Sequence, residues 1–423
     1  MGREPLHDLT EQKEKAILVL LPEPREEWQE EDVYQELAEL SDTAGLEVVD
    51  HLIQHRSAPD AAYYLGKGKL EELRQLCLAR EADCVIFAHS LSPSQLYNLG
   101  KVLDTKVLDK TMLILDIFAQ RARSREGKLQ VELAQANYLL PRLLGQGMNL
   151  SRQGGGAKKG GVGTRGPGET QLETDRRYIR GRLNYLEDRL KELEKRRSLL
   201  SERRKKDDVK TIALVGYTNT GKSTLMNLLT GADVYVKNEL FATLDPTARK
   251  FSIDDVEFLL IDTVGFLQEL PHKLIEAFHS TLESALHCDL ALIVCDATGE
   301  YEMQQATTLQ TLEELGFSGK TLLVMNKTEG LTDTTSLPRD SVAISAKTGK
   351  GIETLKREIL KEFASDFFFC ELFVPYAQMN EYAKIKPLLK ERTSQFHDDG
   401  IFVSVVVPAR YAEKCTPYLV KRQ

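Results

Sequence analysis

Apolar and polar positions alternate in blocks along the first hundred residues. AILVLLP (16–22) is a continuous apolar run that predicts a buried strand, and LEVVDHLI (46–53) and DCVIFA (83–88) predict two more. Between them, EDVYQELAELSDTAG (31–45) has apolar residues at helical spacing and closes on Gly45. KLEELRQLCLAR (69–80) and SPSQLYNLGKVL (92–103) also read as helices, the latter opened by Ser92 as N-cap. This alternation predicts a small α/β domain over residues 1–112.

From 113 to 206 the pattern is helical apart from a glycine-rich segment at 145–168. Leu172, Ile179, Leu186, Leu193 and Leu200 recur every seven residues, with Leu183 and Leu190 offset by four. That register gives a long helix an apolar seam. Met112–Gln120 and Leu129–Leu144 supply apolar stripes before the glycines, so a helical hairpin with the glycine segment at its tip is predicted. An intermolecular coiled coil is the rival. Residues 207–364 carry strands at Lys210–Val215, Val256–Ile261 and Thr321–Met325, expected in a domain with a parallel-rich sheet, and Leu290–Cys295 is a further apolar run. The tail, 365–423, reads strand (Phe367–Val374), helix (Met379–Leu389), strand (Ile401–Val407), a small α+β domain. The expected fold class is α/β and multidomain.

Composition changes this picture little. With 423 residues, 42% hydrophobic and 28% charged, the chain can bury several cores, and global disorder is excluded. Its apolar runs fall far short of the roughly 20 residues that span a bilayer, so no membrane span is expected. The first residues lack a secretory or transit pattern, and Leu6 fails the myristoylation pattern. Six scattered cysteines without a C-x-x-C pair argue against a disulfide framework or a zinc site and point to a reducing, cytoplasmic location. His51 and His55, the close histidine pair, have no nearby cysteine and read as structural.

Charge changes it more. Pro141–Lys206 holds 18 Lys and Arg against 8 Asp and Glu, a net of +10 in a chain of net −8, so the remainder carries −18. A solvated helix face could produce such a run. The loop within it adds a second signal, since 10 of the 28 glycines lie between Gly145 and Gly168, interleaved with Arg152, Lys158, Lys159 and Arg165. Glycines build no core, and amides unshielded by side chains beside cations suit close approach to RNA phosphates. Arg176 and Arg177 extend the set of candidate RNA contacts. Gly66-Lys67-Gly68-Lys69, at a helix start, could hold a phosphate, although a simple turn into the helix is the favoured reading.

The chemistry lies further on. The strand Lys210–Val215 runs into Gly216-Tyr217-Thr218-Asn219-Thr220-Gly221-Lys222-Ser223-Thr224, a G-x-x-x-x-G-K-S loop before a helix. Its amides and the helix N-terminus would cradle the β-phosphate, Lys222 would reach the β- and γ-phosphates, and Ser223 would ligate Mg²⁺. Downstream, Asp262-Thr263-Val264-Gly265 ends a strand; Asp262 would hold Mg²⁺ through water, and the Gly265 amide would sense the γ-phosphate. Asn326-Lys327-Thr328-Glu329 and Ser345-Ala346-Lys347 end two further strands. A carboxylate after N-K-x accepts the guanine N1–H and N2 amine, and the S-A-K amide meets O6. Adenine presents the opposite pattern and would leave buried polar groups unsatisfied. Four motifs in order therefore specify GTP over ATP.

Together with LFATLDPTAR (240–249), DTVGFLQELPH (262–272), EGKLQVELAQANYLLPRL (126–143) and GTRGPGETQLETDRR (163–177), these motifs resemble the HflX family of translation-factor-class GTPases over nearly the whole chain. The resemblance implies a first switch at Phe241–Thr247, with Phe241 near the phosphates, Thr243 as the second side-chain ligand of Mg²⁺ and Thr247 as a weaker candidate. It makes Lys222, Thr243 and Gly265 the catalytic set. It also implies a monomeric, partly ribosome-associated protein. Such a protein would bind the large subunit and its rRNA near the peptidyl-transferase centre, hydrolyse GTP to GDP slowly until stimulated there, and split stalled or idle ribosomes in stress. The alternative is an RNA-binding regulatory or remodelling NTPase whose nucleotide controls RNA affinity.

Three positions depart from common patterns. The base-reading acid is Glu329 where the family usually has Asp, which predicts weakened guanine selectivity. Lys158-Lys159-Gly160-Gly161 lengthens the glycine segment. Phe266 stands where Ras-like enzymes place a water-orienting Gln, which predicts slow intrinsic hydrolysis. Asn219 matches the loop Asn that helps coordinate K⁺ in some potassium-activated GTPases, so K⁺ joins Mg²⁺ as a candidate ion; the alternative is that Asn219 simply braces the loop.

Overall fold

The computed structural model describes residues 13–22, 30–56, 58–153, 167–206, 209–231, 241, 247–263, 265, 287–331, 333 and 337–422. By its internal contacts the chain falls into two units: residues 1–198 with 238–245 and 269–279, and the remainder.

The first unit opens with a parallel sheet of order β2-β1-β3-β4, formed by β1 (Lys15–Leu20), β2 (Glu47–Ile53), β3 (Cys84–Phe87) and β4 (Lys106–Asp109). The helices α1 (Glu30–Thr43), α2 (Lys67–Arg80) and α3 (Pro93–Leu103) connect the strands. Ser92 does cap α3, in a reciprocal box with Gln95. β4 goes unrecognised in the sequence because KVLD is only 4 residues long and opens on an exposed lysine. Its neighbour α4 (Lys110–Arg121) starts before the expected boundary at 112, and Asp109 caps it by accepting from the Met112 N–H.

Asp109 is fully buried, and the Tyr138 hydroxyl, Arg142 Nη2 and the Leu91 N–H all donate to its Oδ2. Tyr138 and Arg142 belong to α5 (Arg125–Gln153), so one buried carboxylate ties the sheet to the long helix. Burial, with Asp109 adding to it, pushes the Tyr138 phenol far up, and the phenol stays a donor. Tyr138→Phe removes one of several partners and is expected to cost about 1–2 kcal/mol in urea unfolding. A change below a few tenths would mean the bond contributes nothing.

The helical hairpin is present, with one correction. The residues expected to begin the glycine loop, Gly145 to Gln153 and including Arg152, lie in α5, and Pro167 and Gly168 lie in α6 (Pro167–Lys206). Helical glycine costs about 1 kcal/mol per residue, and a helix already 20 residues long at Gly145 propagates across it cooperatively. Lys158, Lys159 and Arg165 lie outside the described residues. At its described positions the seam is buried at Leu183 and Leu186 and half-buried at Ile179, Leu190 and Leu193, and Val131, Ala134 and Tyr138 of α5 are buried. Arg182 of α6 pairs in a fork with Glu132 of α5 at 2.5 and 2.8 Å.

The second unit holds a sheet of order β10-β9-β8-β5-β7-β6, parallel except for β6 against β7. Its strands are β5 (Lys210–Val215), β6 (Thr247–Ile253), β7 (Val256–Asp262), β8 (Leu290–Asp296), β9 (Lys320–Asn326) and β10 (Ser341–Ala343). Helices α7 (Lys222–Thr230), α8 (Tyr301–Glu314) and α9 (Ile352–Glu362) accompany it. β8 is buried along nearly its whole length, which explains its unbroken apolar run.

The tail is richer than its sequence suggests. It runs β11 (Phe367–Pro375), α10 (Met379–Ile385), β12 (Lys390–Phe396), β13 (Gly400–Pro408), α11 (Ala412–Cys415) and β14 (Leu419–Arg422), an antiparallel sheet of order β12-β13-β11-β14. The expected helix over 379–389 stops at Ile385, where a 3₁₀ turn takes Lys386–Leu388 around Pro387. KERTSQF, exposed at all but one position, carries no apolar alternation and so gave no strand signal. Val406, with Phe367 and Phe369 beside it, packs into the core of the six-stranded sheet.

Candidate active site

The site lies at the carboxyl ends of the parallel strands, where β5 passes into α7. Gly216 leaves the strand at φ +149°, and a Cβ there would come within 2.3 Å of the Val294 carbonyl on β8. Gly221 turns the chain at φ +90°, and its Cβ would meet the Asn326 amide at 2.3 Å. Both positions require glycine for space as well as for backbone angle. Asn219 also takes a left-handed conformation, which asparagine tolerates.

Lys222 folds back into this loop. Its Nζ donates to the carbonyls of Gly216 at 3.0 Å and Tyr217 at 2.6 Å, with only 7% of the residue exposed. Burial pushes its ammonium down to about 8, against the pull of Asp262. Thr220 closes the turn by donating to the Tyr217 carbonyl at 3.0 Å. Ser223 and Thr224 open α7, and the Ser223 hydroxyl donates to Asp262 Oδ2 at 2.8 Å. Gly265 passes so close that a Cβ would lie 2.8 Å from Thr218 Cα and 3.0 Å from Lys222 Nζ. A hydroxyl and a carboxylate converging beside a lysine form a hard-oxygen donor set, and they fit a small divalent cation such as Mg²⁺.

On the base side, Asn326 is 2% exposed and spans two loops. Its Nδ2 donates to the Thr220 carbonyl at 2.8 Å, and its Oδ1 accepts the Ala346 N–H at 2.9 Å. Of the S-A-K backbone amides, that of Ala346 is thus directed at Asn326. Lys327, at φ +64°, pairs with Asp296 at 2.6 Å. Ser345 is buried and receives the Thr348 N–H, while its hydroxyl, beside Glu329, holds that exposed carboxyl below the usual carboxylate range. Lys347 is exposed. Asp296 is the site residue that motif reading passes over; its signal is the acid ending the apolar run LALIVCD.

Other expected residues lie elsewhere or outside the described chain. The Phe241 ring is 3% exposed and packs edge-on against Phe118 of α4 at 4.6 Å. The Thr247 hydroxyl donates to Met226 Sδ at 3.6 Å. Thr243 and Phe266 fall outside the described residues. Of the candidate RNA contacts on α6, Arg176 is half-buried and Arg177 exposed. All six cysteines are buried thiols, and among the described residues no helix is long and apolar enough to cross a membrane.

Comparison with known proteins follows this geometry. Residues 31–119 match the family described as GTP-binding GTPase N-terminal, 121–204 its middle region, and 211–327 the family described as 50S ribosome-binding GTPase. The chain is 44% identical to the GTPase HflX of Caldanaerobacter subterraneus subsp. tengcongensis over 98% of this chain and 96% of that protein. It is 43% identical to the GTPase HflX of Escherichia coli K12, covering 84% of each chain. A crystal structure of a GTP-binding protein from the archaeon Sulfolobus solfataricus with GDP is 24% identical, covers 83% of this chain and 99% of that one, and has a TM-score of 0.44.

Proposed function

The chain belongs to the GTPase HflX family and is a GTP-hydrolysing enzyme, and from that premise we propose that it works on the large ribosomal subunit, splitting stalled or idle ribosomes. The observation that carries this reading is the union of a nucleotide loop with a hairpin, α5 and α6, whose segment 141–206 is net +10. A basic projection of this kind favours an rRNA surface, with Arg152, Lys158, Lys159, Arg165, Arg176 and Arg177 as its phosphate contacts.

At the nucleotide, the loop amides from Gly216 to Ser223 and the start of α7 bind the phosphates. Lys222 bridges the β- and γ-phosphates and offsets the charge that develops on the transferring group. Gly265, lying against Thr218 and Lys222, leaves its amide for the γ-phosphate. Ser223 and Thr243 of the first switch would hold Mg²⁺ directly and Asp262 through water, and the ion would neutralise phosphate charge. Glu329 and the Ser345–Lys347 loop read guanine, and Asn326 braces that loop against the phosphate loop. Phe266 offers no hydrogen bond to water, so free protein turns over slowly and the ribosome completes the switch geometry. Asn219 lies where a K⁺ ion could lend positive charge to the reaction.

Light scattering of intact ribosomes, with added protein and either GTP or GDP, tests the reading. Dissociation with GTP alone, in potassium but not sodium buffer, is the expected result. Intact ribosomes in every condition would overturn the splitting role, and equal rates in the two salts would remove K⁺.

Glu329 makes a separate prediction. Its extra methylene displaces the acid by about a bond length from the position that aspartate would hold, weakening two hydrogen bonds to the base. Glu329→Asp is expected to raise the preference for GDP over ADP by about tenfold in competition against a fluorescent guanine nucleotide. An unchanged ratio would show that the longer acid already fits.

A further inference from the structure

We propose that the open end of the C-terminal sheet is a docking site for an arginine-bearing basic segment of another protein. The inference rests on β11 to β14 and is independent of the nucleotide site.

The β11-α10-β12-β13-α11-β14 order gives a sheet with two unlike faces. One face is closed: Leu372, Val374, Val403 and Val405 are buried with Tyr382 and Cys415 of the two helices. On the other face, Phe369 and Val406 at one end join the core of the six-stranded sheet. The other end carries Phe373 opposite Phe402 on the two central strands, their rings 4.8 Å apart. Phe402 is 37% exposed, and the exposed His397 packs edge-on to it at 5.0 Å. The β12–β13 turn is anchored beside them, since the Tyr376 N–H donates to the Asp399 carbonyl and the Tyr376 hydroxyl to the His397 carbonyl. Phe402, open to solvent and backed by the half-buried Phe373, is a preformed stacking platform on the central strands.

Two ligand chemistries stack on such a platform, nucleobases and guanidinium groups. Local charge decides between them. The turn beside the rings carries the exposed Asp398 and Asp399, and neither has an ion-pair partner among the described residues. Glu371, further along the face, is an additional exposed acid. Arg392 and Lys390, cations near this face, are engaged with Asp255 at 3.0 Å and Glu257 at 3.2 Å. A phosphate backbone would therefore meet carboxylates, whereas an arginine would find an aromatic face and an acid together. The protein already uses this combination on the same sheet, because Arg392 lies 5.4 Å over the Phe369 ring while paired to Asp255.

The test uses the full chain and fluorescence anisotropy with three labelled probes: a four-repeat Gly-Arg peptide, its Gly-Lys counterpart and an eight-nucleotide uridine oligomer. The Gly-Arg peptide is expected to bind more tightly than Gly-Lys, because a planar guanidinium stacks where an ammonium does not. Phe402→Ser, which leaves every charge in place, and the double variant Asp398→Lys with Asp399→Lys are each expected to weaken Gly-Arg binding by about tenfold. Melting temperature and basal GTP turnover report that each variant is folded, and the turn variant decides if Phe402→Ser is destabilised. Absence of Gly-Arg binding, or binding insensitive to both variants, overturns the proposal. A fall in uridine-oligomer binding with Phe402→Ser would assign the platform to RNA and equally overturn it.

Discussion

Lys222→Ala is expected to lower GTP turnover by about a thousandfold or more, equivalent to roughly 4 kcal/mol of barrier. The side chain is buried in the loop it serves, its ammonium within 3.0 Å of two loop carbonyls. It stands beside both Asp262 and the backbone of Gly265, where a transferring phosphoryl group would develop charge. In a buried site a fixed cation acts with little solvent screening, and it needs no reorganisation as charge moves. Alanine relieves a desolvated ammonium but removes the donor to the Gly216 and Tyr217 carbonyls, so stability should change little while catalysis collapses. Phosphate release under single-turnover conditions, with a thermal melt as the control for folding, measures this. Turnover within tenfold of the parent would mean that Lys222 does not offset charge in the reaction.

Asn326→Ala is expected to weaken guanine-nucleotide binding by about a hundredfold, with a matching loss of fold stability of roughly 2–4 kcal/mol. Both ends of its amide are committed, to the Thr220 carbonyl and the Ala346 N–H. Removing it strands two polar groups in a site that is otherwise packed, at about 1–3 kcal/mol each. It also disconnects the loop that cradles phosphate from the loop that reads the base. Gly221→Ala reaches the same strut from the other side, because its Cβ would meet the amide at 2.3 Å. The two changes act on one bond network, and their effects should be less than additive. Isothermal titration with GDP and urea unfolding would read both quantities. Near-parental GDP affinity in Asn326→Ala would show that the base loop holds its place without the strut.

Most of the site was legible because its motifs carry their own structural reasons. Gly216 and Gly221 stand where the backbone leaves no room for a Cβ, and Lys222 and Ser223 follow at the first turn of α7. In the central sheet β5, β7, β8 and β9 show as apolar runs because helices and neighbouring strands cover them, whereas β6, the mostly exposed TARKFSI, carries no such signal. What could not be read were pairings between distant residues. Nothing in the spacing of Asn326 and Thr220 says that one amide bridges them, and Asp296 becomes visible only once Lys327 is seen against it. The solvated strand β12 and the four-residue β4 lack a one-sided burial pattern, and their neighbours define them. The extension of α5 through Gly145 reflects the opposite balance, a long helix overriding a locally poor residue.

We propose that GTP hydrolysis by this chain is completed on the large ribosomal subunit. Steady-state GTP turnover with and without purified large subunits, paired with co-sedimentation, tests it most directly. The account predicts stimulation of about tenfold or more, some 1.4 kcal/mol of barrier supplied by the ribosome, together with GTP-dependent binding. Unchanged turnover with no co-sedimentation would contradict it.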